Sequence, residues 1–234
     1  MLRVRALNIL CFLVVSYDVI TSIPLDGDVK IEGNDLNEHE HRALKRVKRS
    51  TADVEGDPHF ETLDGYEYDF EGRCSYYVLR DCRNLTQRAF DIIANIVPRG
   101  EKDTPSSVIT SVSVEIEGKY SIIMEEDGST TVNGNSVEKP LDLIDNGEIE
   151  IHSQLDRNVT ISVPKFNLTV SWLGLEVHHL RVDLTKPEFK GKVCGLLGNY
   201  DGNMDNDFLK PDGSKPESMR DFAKSWRASC PNRG

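Results

Sequence analysis

What the 234-residue sequence lacks narrows its function first. It has no Gly-x-Ser-x-Gly elbow, no His-Glu-x-x-His pair, no glycine-rich phosphate loop and no Cys-x-x-Cys. The local signatures of common hydrolases, metalloproteases, nucleotide-using enzymes and thiol oxidoreductases are therefore missing, and a non-enzymatic protein is expected. Positive charge is also short. With 28 basic against 39 acidic side chains the formal charge is −11, which argues against nucleic acid or anionic membrane as partners and suits a surface that attracts cations. Beyond Val15 no run is long and apolar enough to span a bilayer, so no membrane span is expected. No internal repeat or low-complexity tract is present.

What is there begins with a secretory pattern. Arg3 and Arg5 precede an apolar run from Ala6 to Val15 broken only by Asn8, with polar and small residues following to Ser22. This reads as a signal peptide over residues 1–22. Residues 23–49 are polar and end in Lys45-Arg46-Val47-Lys48-Arg49-Ser50. They read as a propeptide, with cleavage between Arg49 and Ser50 resembling that of furin-like convertases; the plainer reading is a charge run on a solvated face. The mature chain is then 50–234. Removing the eight basic and seven acidic residues before Ser50 leaves a formal charge of −12, so the acidity belongs to the domain itself. Cys11 departs with the signal. Cys74, Cys82, Cys194 and Cys230 remain, an even number that an oxidising compartment would join in two disulfides, with three pairings open. Sequons at Asn84, Asn158 and Asn167 fit the same compartment as N-glycan acceptors.

From Gly56 the pattern has period two. Tyr66, Tyr68 and Phe70 alternate with acids; Val112, Val114 and Ile116 lead through Gly118-Lys119 to Tyr120, Ile122 and Met124 as a hairpin. Asp127-Gly128 and Asn133-Gly134 are two-residue turn signals. Alternation continues at Ile149 and Ile151, at Val159, Ile161 and Val163, and from Phe166 to Trp172. Closely spaced strands without intervening helices predict a mostly β protein, an antiparallel sandwich or barrel. Met219, Phe222, Ala223 and Trp226 change the spacing to three and four, predicting a short C-terminal helix over 218–227, with Lys224 and Arg227 placed well for its dipole.

The densest chemistry lies between Cys194 and Phe208, where three glycines and six Asn or Asp side chains fall within fifteen residues. Such oxygen-rich, turn-forming sequence suits a hard cation, calcium above all; the plainer reading is a solvated Asx-rich turn. Asp201, Asn203 and Asp205 imitate the start of an EF-hand, but its sixth position is Asn206, its twelfth Asp212, and flanking helices are lacking, so a true EF-hand is rejected.

Gly56-Asp57-Pro58-His59-Phe60, Thr62-Leu63-Asp64-Gly65, Tyr68-Asp69-Phe70-Glu71-Gly72-Arg73-Cys74, the Cys194–Phe208 stretch and Phe222–Trp226 stand in an order that resembles the von Willebrand factor type D domain over essentially the whole mature chain. The resemblance implies a β-sandwich-like extracellular module. It implies calcium ligands at Asp64, Asn199, Asp201, the Asn203 carbonyl, Asn206 and Asp207, and disulfides Cys74–Cys230 and Cys82–Cys194. One family disulfide is missing at both ends: no cysteine precedes Gly56, and Leu197 stands where the second would be. The feature associated with disulfide-linked assembly is therefore absent, and a monomer is expected. Some members break the Asp-Pro bond of this motif without a protease, so Asp57-Pro58 is a candidate cleavage point; a tight turn is the plainer reading. Once cut, Ser50–Asp57 is expected to be lost. The function expected is a secreted, calcium-binding glycoprotein that acts by binding extracellular protein or matrix. The alternatives are a toxin or venom component on the same scaffold, an acidic mineral- or matrix-associated protein and, from another class, an enzyme.

Overall fold

The computed structural model describes residues 50–84, 86–99, 106–137, 141–153 and 158–230. The signal peptide, the propeptide and Arg49 lie outside these residues.

Sixteen strands are present among them. The first half of the chain supplies β1 (Thr51–Glu55), β2 (His59–Glu61), β3 (Glu67–Asp69), β4 (Ser75–Asp81), β5 (Phe90–Arg99), β6 (Ser106–Ile116), β7 (Tyr120–Glu125), β8 (Thr130–Val132) and β9 (Asn135–Ser136). The second half supplies β10 (Leu141–Ile144), β11 (Ile149–Ser153), β12 (Asn158–Val163), β13 (Leu168–Leu173), β14 (His179–Leu184), β15 (Val193–Cys194) and β16 (Arg227–Ser229), with helix α1 (Met219–Ser225) just before the last. They form two antiparallel sheets. The first has the order β10-β11-β12-β13-β14-β1-β2-β3, and the second β15-β4-β5-β6-β7-β8-β9, with β16 also on β4.

The strands form where apolar side chains alternate. Val112, Val114 and Ile116 are buried and oppose Met124, Ile122 and Tyr120 across the predicted hairpin. Its turn places Glu117 and Gly118 at positive φ, the geometry whose twist matches the flanking strands. Inward-facing side chains of both sheets meet in one core that includes Trp172, Phe60, Phe90 and Phe189. Trp172 donates its indole N–H to the Glu125 carbonyl, tying β13 to the end of β7. Two local expectations change. Phe166 is buried but lies in a 3-10 turn, Pro164–Phe166, because proline opens the turn and Asn167 closes it at φ 46°. The helix ends at Ser225, and Arg227 lies in β16 rather than at a helix terminus, leaving only Lys224 in the last turn. Ser218 caps the helix, its side chain accepting the Asp221 N–H.

The disulfides join Cys74 to Cys230 and Cys82 to Cys194. Cys74 precedes β4 and Cys82 follows it, so the crosslinks bracket one strand.

Candidate metal centre

Two chain segments distant in sequence build the Asn/Asp cluster. After β15 the backbone continues along β4, with the Leu196 N–H on the Tyr77 carbonyl and the Leu197 N–H on the Val78 carbonyl. Leu197 is fully buried, so the position where the resemblance implies a cysteine is filled here by core packing. Its carbonyl accepts the Leu63 N–H at 3.0 Å, and that bond sets the Thr62–Gly65 turn against the Gly198–Asp207 loop. An aromatic floor lies beneath. Phe208 packs edge-on against Tyr66, Tyr68 and Phe222 with centroids 4.7, 5.2 and 5.0 Å away, and the Tyr68 hydroxyl donates to the Leu196 carbonyl at 2.6 Å.

The polar groups form one connected cluster. Both Asp64 oxygens accept backbone N–H groups from the loop, Asp201 at 3.0 Å and Gly202 at 2.8 Å. Asp201 Oδ2 accepts from the Asn206 amide at 2.7 Å, and Asn206 Oδ1 accepts from the Asn199 amide at 2.8 Å. The Asn199 backbone N–H reaches Asp207 Oδ1 at 3.2 Å. Asp64, Asn199, Asp201, Asn206 and Asp207 are thus together. Asn203 joins differently: its side chain accepts the Asp205 N–H to cap the 3-10 turn Met204–Asn206, and its own N–H binds Asp201 Oδ1. No EF-hand helix flanks the loop among the described residues.

Asp207 is the electrostatic centre. It is 3% exposed, and burial, with the charge of Asp64 close by, pushes its carboxyl up to about 7 although Thr62 and the Asn199 N–H donate to it. Gly198 makes the approach possible: at φ +81° a Cβ there would lie 2.3 Å from Asp207 Oδ1. Thr62 was missed by the sequence reading; its hydroxyl donates to Asp207 Oδ2 at 2.6 Å. Its place two residues before Asp64 in the same motif was the available signal. Oxygen donors of three carboxylates, one of them the uncompensated buried Asp207, and of two amides fit a hard cation such as calcium.

The remaining expected positions scatter. Asn84 and Asn167 are exposed, whereas Asn158 is half-buried at the start of β12. Gly56-Asp57-Pro58 is the tight turn joining β1 to β2. β1 is an interior strand, hydrogen-bonded to β14 and β2 with Ala52 and Val54 fully buried. Against the expectation that Ser50–Asp57 would be lost after a break at Asp57-Pro58 stand the ladders and core contacts of β1, which do not run through that bond. His178 and His179 point opposite ways, His178 buried with Nδ1 3.0 Å from the Ile109 carbonyl and His179 on the outer face beside Asp53.

Comparison with known proteins settles the family. The von Willebrand factor type D domain model matches residues 52–214. The chain belongs to the von Willebrand factor type D domain family. It is similar to zonadhesin of Sus scrofa, 33% identical over 180 residues covering 77% of this chain and 7% of that protein. Alpha-tectorin of Homo sapiens is 30% identical over 185 residues, 77% of this chain and 8% of the relative. The IgGFc-binding protein of Homo sapiens is 31% identical over 187 residues, 80% and 3%. This type D chain thus spans less than a tenth of the length of these relatives.

Proposed function

We propose that this type D chain is an extracellular, non-enzymatic binding module whose Asn199–Asp207 loop is held in its working shape by one calcium ion. The observation that carries the reading is Asp207, a buried carboxyl pressed against Asp64 with no cationic side chain among its hydrogen-bond partners. Asp64, Asn199, Asp201, Asn206 and Asp207 would hold the ion, with the Asn203 carbonyl beside them. The ion supplies positive charge that lets Asp207 ionise at neutral pH. Asp64 fixes the loop backbone through the Asp201 and Gly202 N–H groups, and Thr62 orients Asp207. Two disulfides support an oxidising compartment, and no helix among the described residues is long and apolar enough to cross a membrane. A protein ligand is the partner class; one relative's name records binding of IgG Fc, and matrix protein is the other source.

The test is calcium calorimetry with melting in calcium and in chelator. An ion present at a hundredfold its dissociation constant adds about 2.7 kcal/mol, or roughly 5–10 °C for a domain of this size. Asp201→Ala is expected to remove most of that difference. Absence of binding heat together with identical melting in both conditions would overturn the reading. Affinity capture in calcium and in chelator then identifies the partner.

A further inference from the structure

The outer face of the first sheet carries a second polar cluster, remote in sequence from the Asn/Asp loop. Asp53 and Glu55 are two residues apart on β1 and so share a face, while Val54 between them is fully buried. His179 opens β14, the strand paired with β1. Its Nε2 lies 2.7 Å from Asp53 Oδ1 and 3.3 Å from Glu55 Oε1. One ligand atom from each of the three falls within 4.8 Å of the others, an arrangement found for no other trio of His, Cys, Asp or Glu among the described residues.

We propose that Asp53, Glu55 and His179 form a transition-metal site that takes zinc. One imidazole nitrogen with two carboxylates is a borderline donor set, suited to zinc rather than to an all-oxygen calcium shell. Bond lengths of about 2.0–2.1 Å place tetrahedral ligand atoms roughly 3.3 Å apart. The His179–Glu55 separation already has that value, and the His179–Asp53 contact opens by about half an ångström when a metal comes between the two atoms. The metal takes the Nε2 lone pair, so the neutral imidazole carries its one hydrogen on Nδ1 in the bound state and no net proton need leave. Arg181 sits behind the site, donating Nε to Asp53 Oδ1 at 2.8 Å and Nη2 to Oδ2 at 3.4 Å. It orients the Asp53 carboxylate and offsets one of the two negative charges. The site is preorganised because its ligands stand on paired strands whose inner faces, Val54 and Leu180, are fully buried. Glu55 is exposed, so the fourth position opens to water or to a donor from a bound partner. The metal would clip β1, the strand that follows the Arg49-Ser50 bond, to β14.

The experiment is a zinc chloride titration of the full chain by calorimetry, with calcium saturating so that the Asn/Asp loop is occupied. Glu55→Gln, on an exposed side chain, is expected to weaken zinc at least tenfold with the fold intact, and His179→Ala to abolish binding at this site. Asp201→Ala in the loop is expected to leave zinc unchanged. Residues His39 and His41 are common to every variant, so their contribution cancels in the comparison. Zinc affinity equal to the parent in both Glu55→Gln and His179→Ala would overturn the site, as would an absence of binding at tens of micromolar zinc.

Discussion

β4 and β1 lie inside different sheets and are secured by opposite means. β4 has a disulfide beyond each end, and through them it holds β15 with the Asn/Asp loop on one side and the segment after β16 on the other. β1 has no crosslink. Its neighbours hold it by ladder hydrogen bonds, by buried Ala52 and Val54, and by the Asp53, Arg181 and His179 network. Covalent constraint is thus concentrated around the loop that gathers carboxylates, where native geometry works against like charge. It is absent where hydrogen bonds and opposite charges already favour the native pairing.

The sharpest way to break this comparison is to remove covalency from β4. Cys74→Ala with Cys230→Ala removes the outer crosslink, whose 156-residue span is already shortened by the nested Cys82–Cys194 bond, and denaturant unfolding is expected to lose about 4 kcal/mol by loop entropy. The matching change in β1 is smaller. Val54→Ala deletes two methyl groups at a fully buried position and is expected to cost about 2–3 kcal/mol through lost burial and a residual cavity. Equal losses would mean that β4 gains little from its crosslinks.

Much of this arrangement was legible in the residues, for reasons that differ by region. The strands with clean alternation, such as Val112 to Ile116, declare which face is buried because the side-chain period is two. The Asn/Asp loop was legible as chemistry, since oxygen-rich side chains crowd one short segment. Other features were not. The ten-residue β5 alternates Phe90, Ile92, Ala94 and Ile96 toward the core, yet small Ala94 and hydrophobic Ile93 on the other face blurred its period. β1 shows only Ala52 and Val54, too short a pattern to declare an interior strand. His179 lies more than 120 residues along the chain from Asp53 and Glu55 and meets them only through β1–β14 pairing, information that local spacing does not contain. Thr62 was hidden because a hydroxyl donor to a buried acid looks like any turn threonine.

pH separates the two regions as well. Asp207 has a folded-state pKa of about 7, raised by burial and by Asp64 from its ordinary 3.8. Without calcium the native state therefore binds an extra proton between pH 4 and 7, and stability present at low pH is lost as pH rises through that window. Asp53 behaves oppositely. Burial pushes its carboxyl up, but hydrogen bonds from His179 and Arg181 and their charge outweigh it and hold the group below 3.8. Its contribution is present above pH 4 and lost as pH falls below. In chelator, hydrogen exchange of the Asn199–Asp207 amides should accelerate, after correction for intrinsic rates, from pH 5 to 8, while amides of β1 stay protected until acid is reached. Calcium should abolish the first trend, because a cation beside ionised Asp207 replaces the proton; persistence of that trend in saturating calcium would mean that the ion does not reach Asp207.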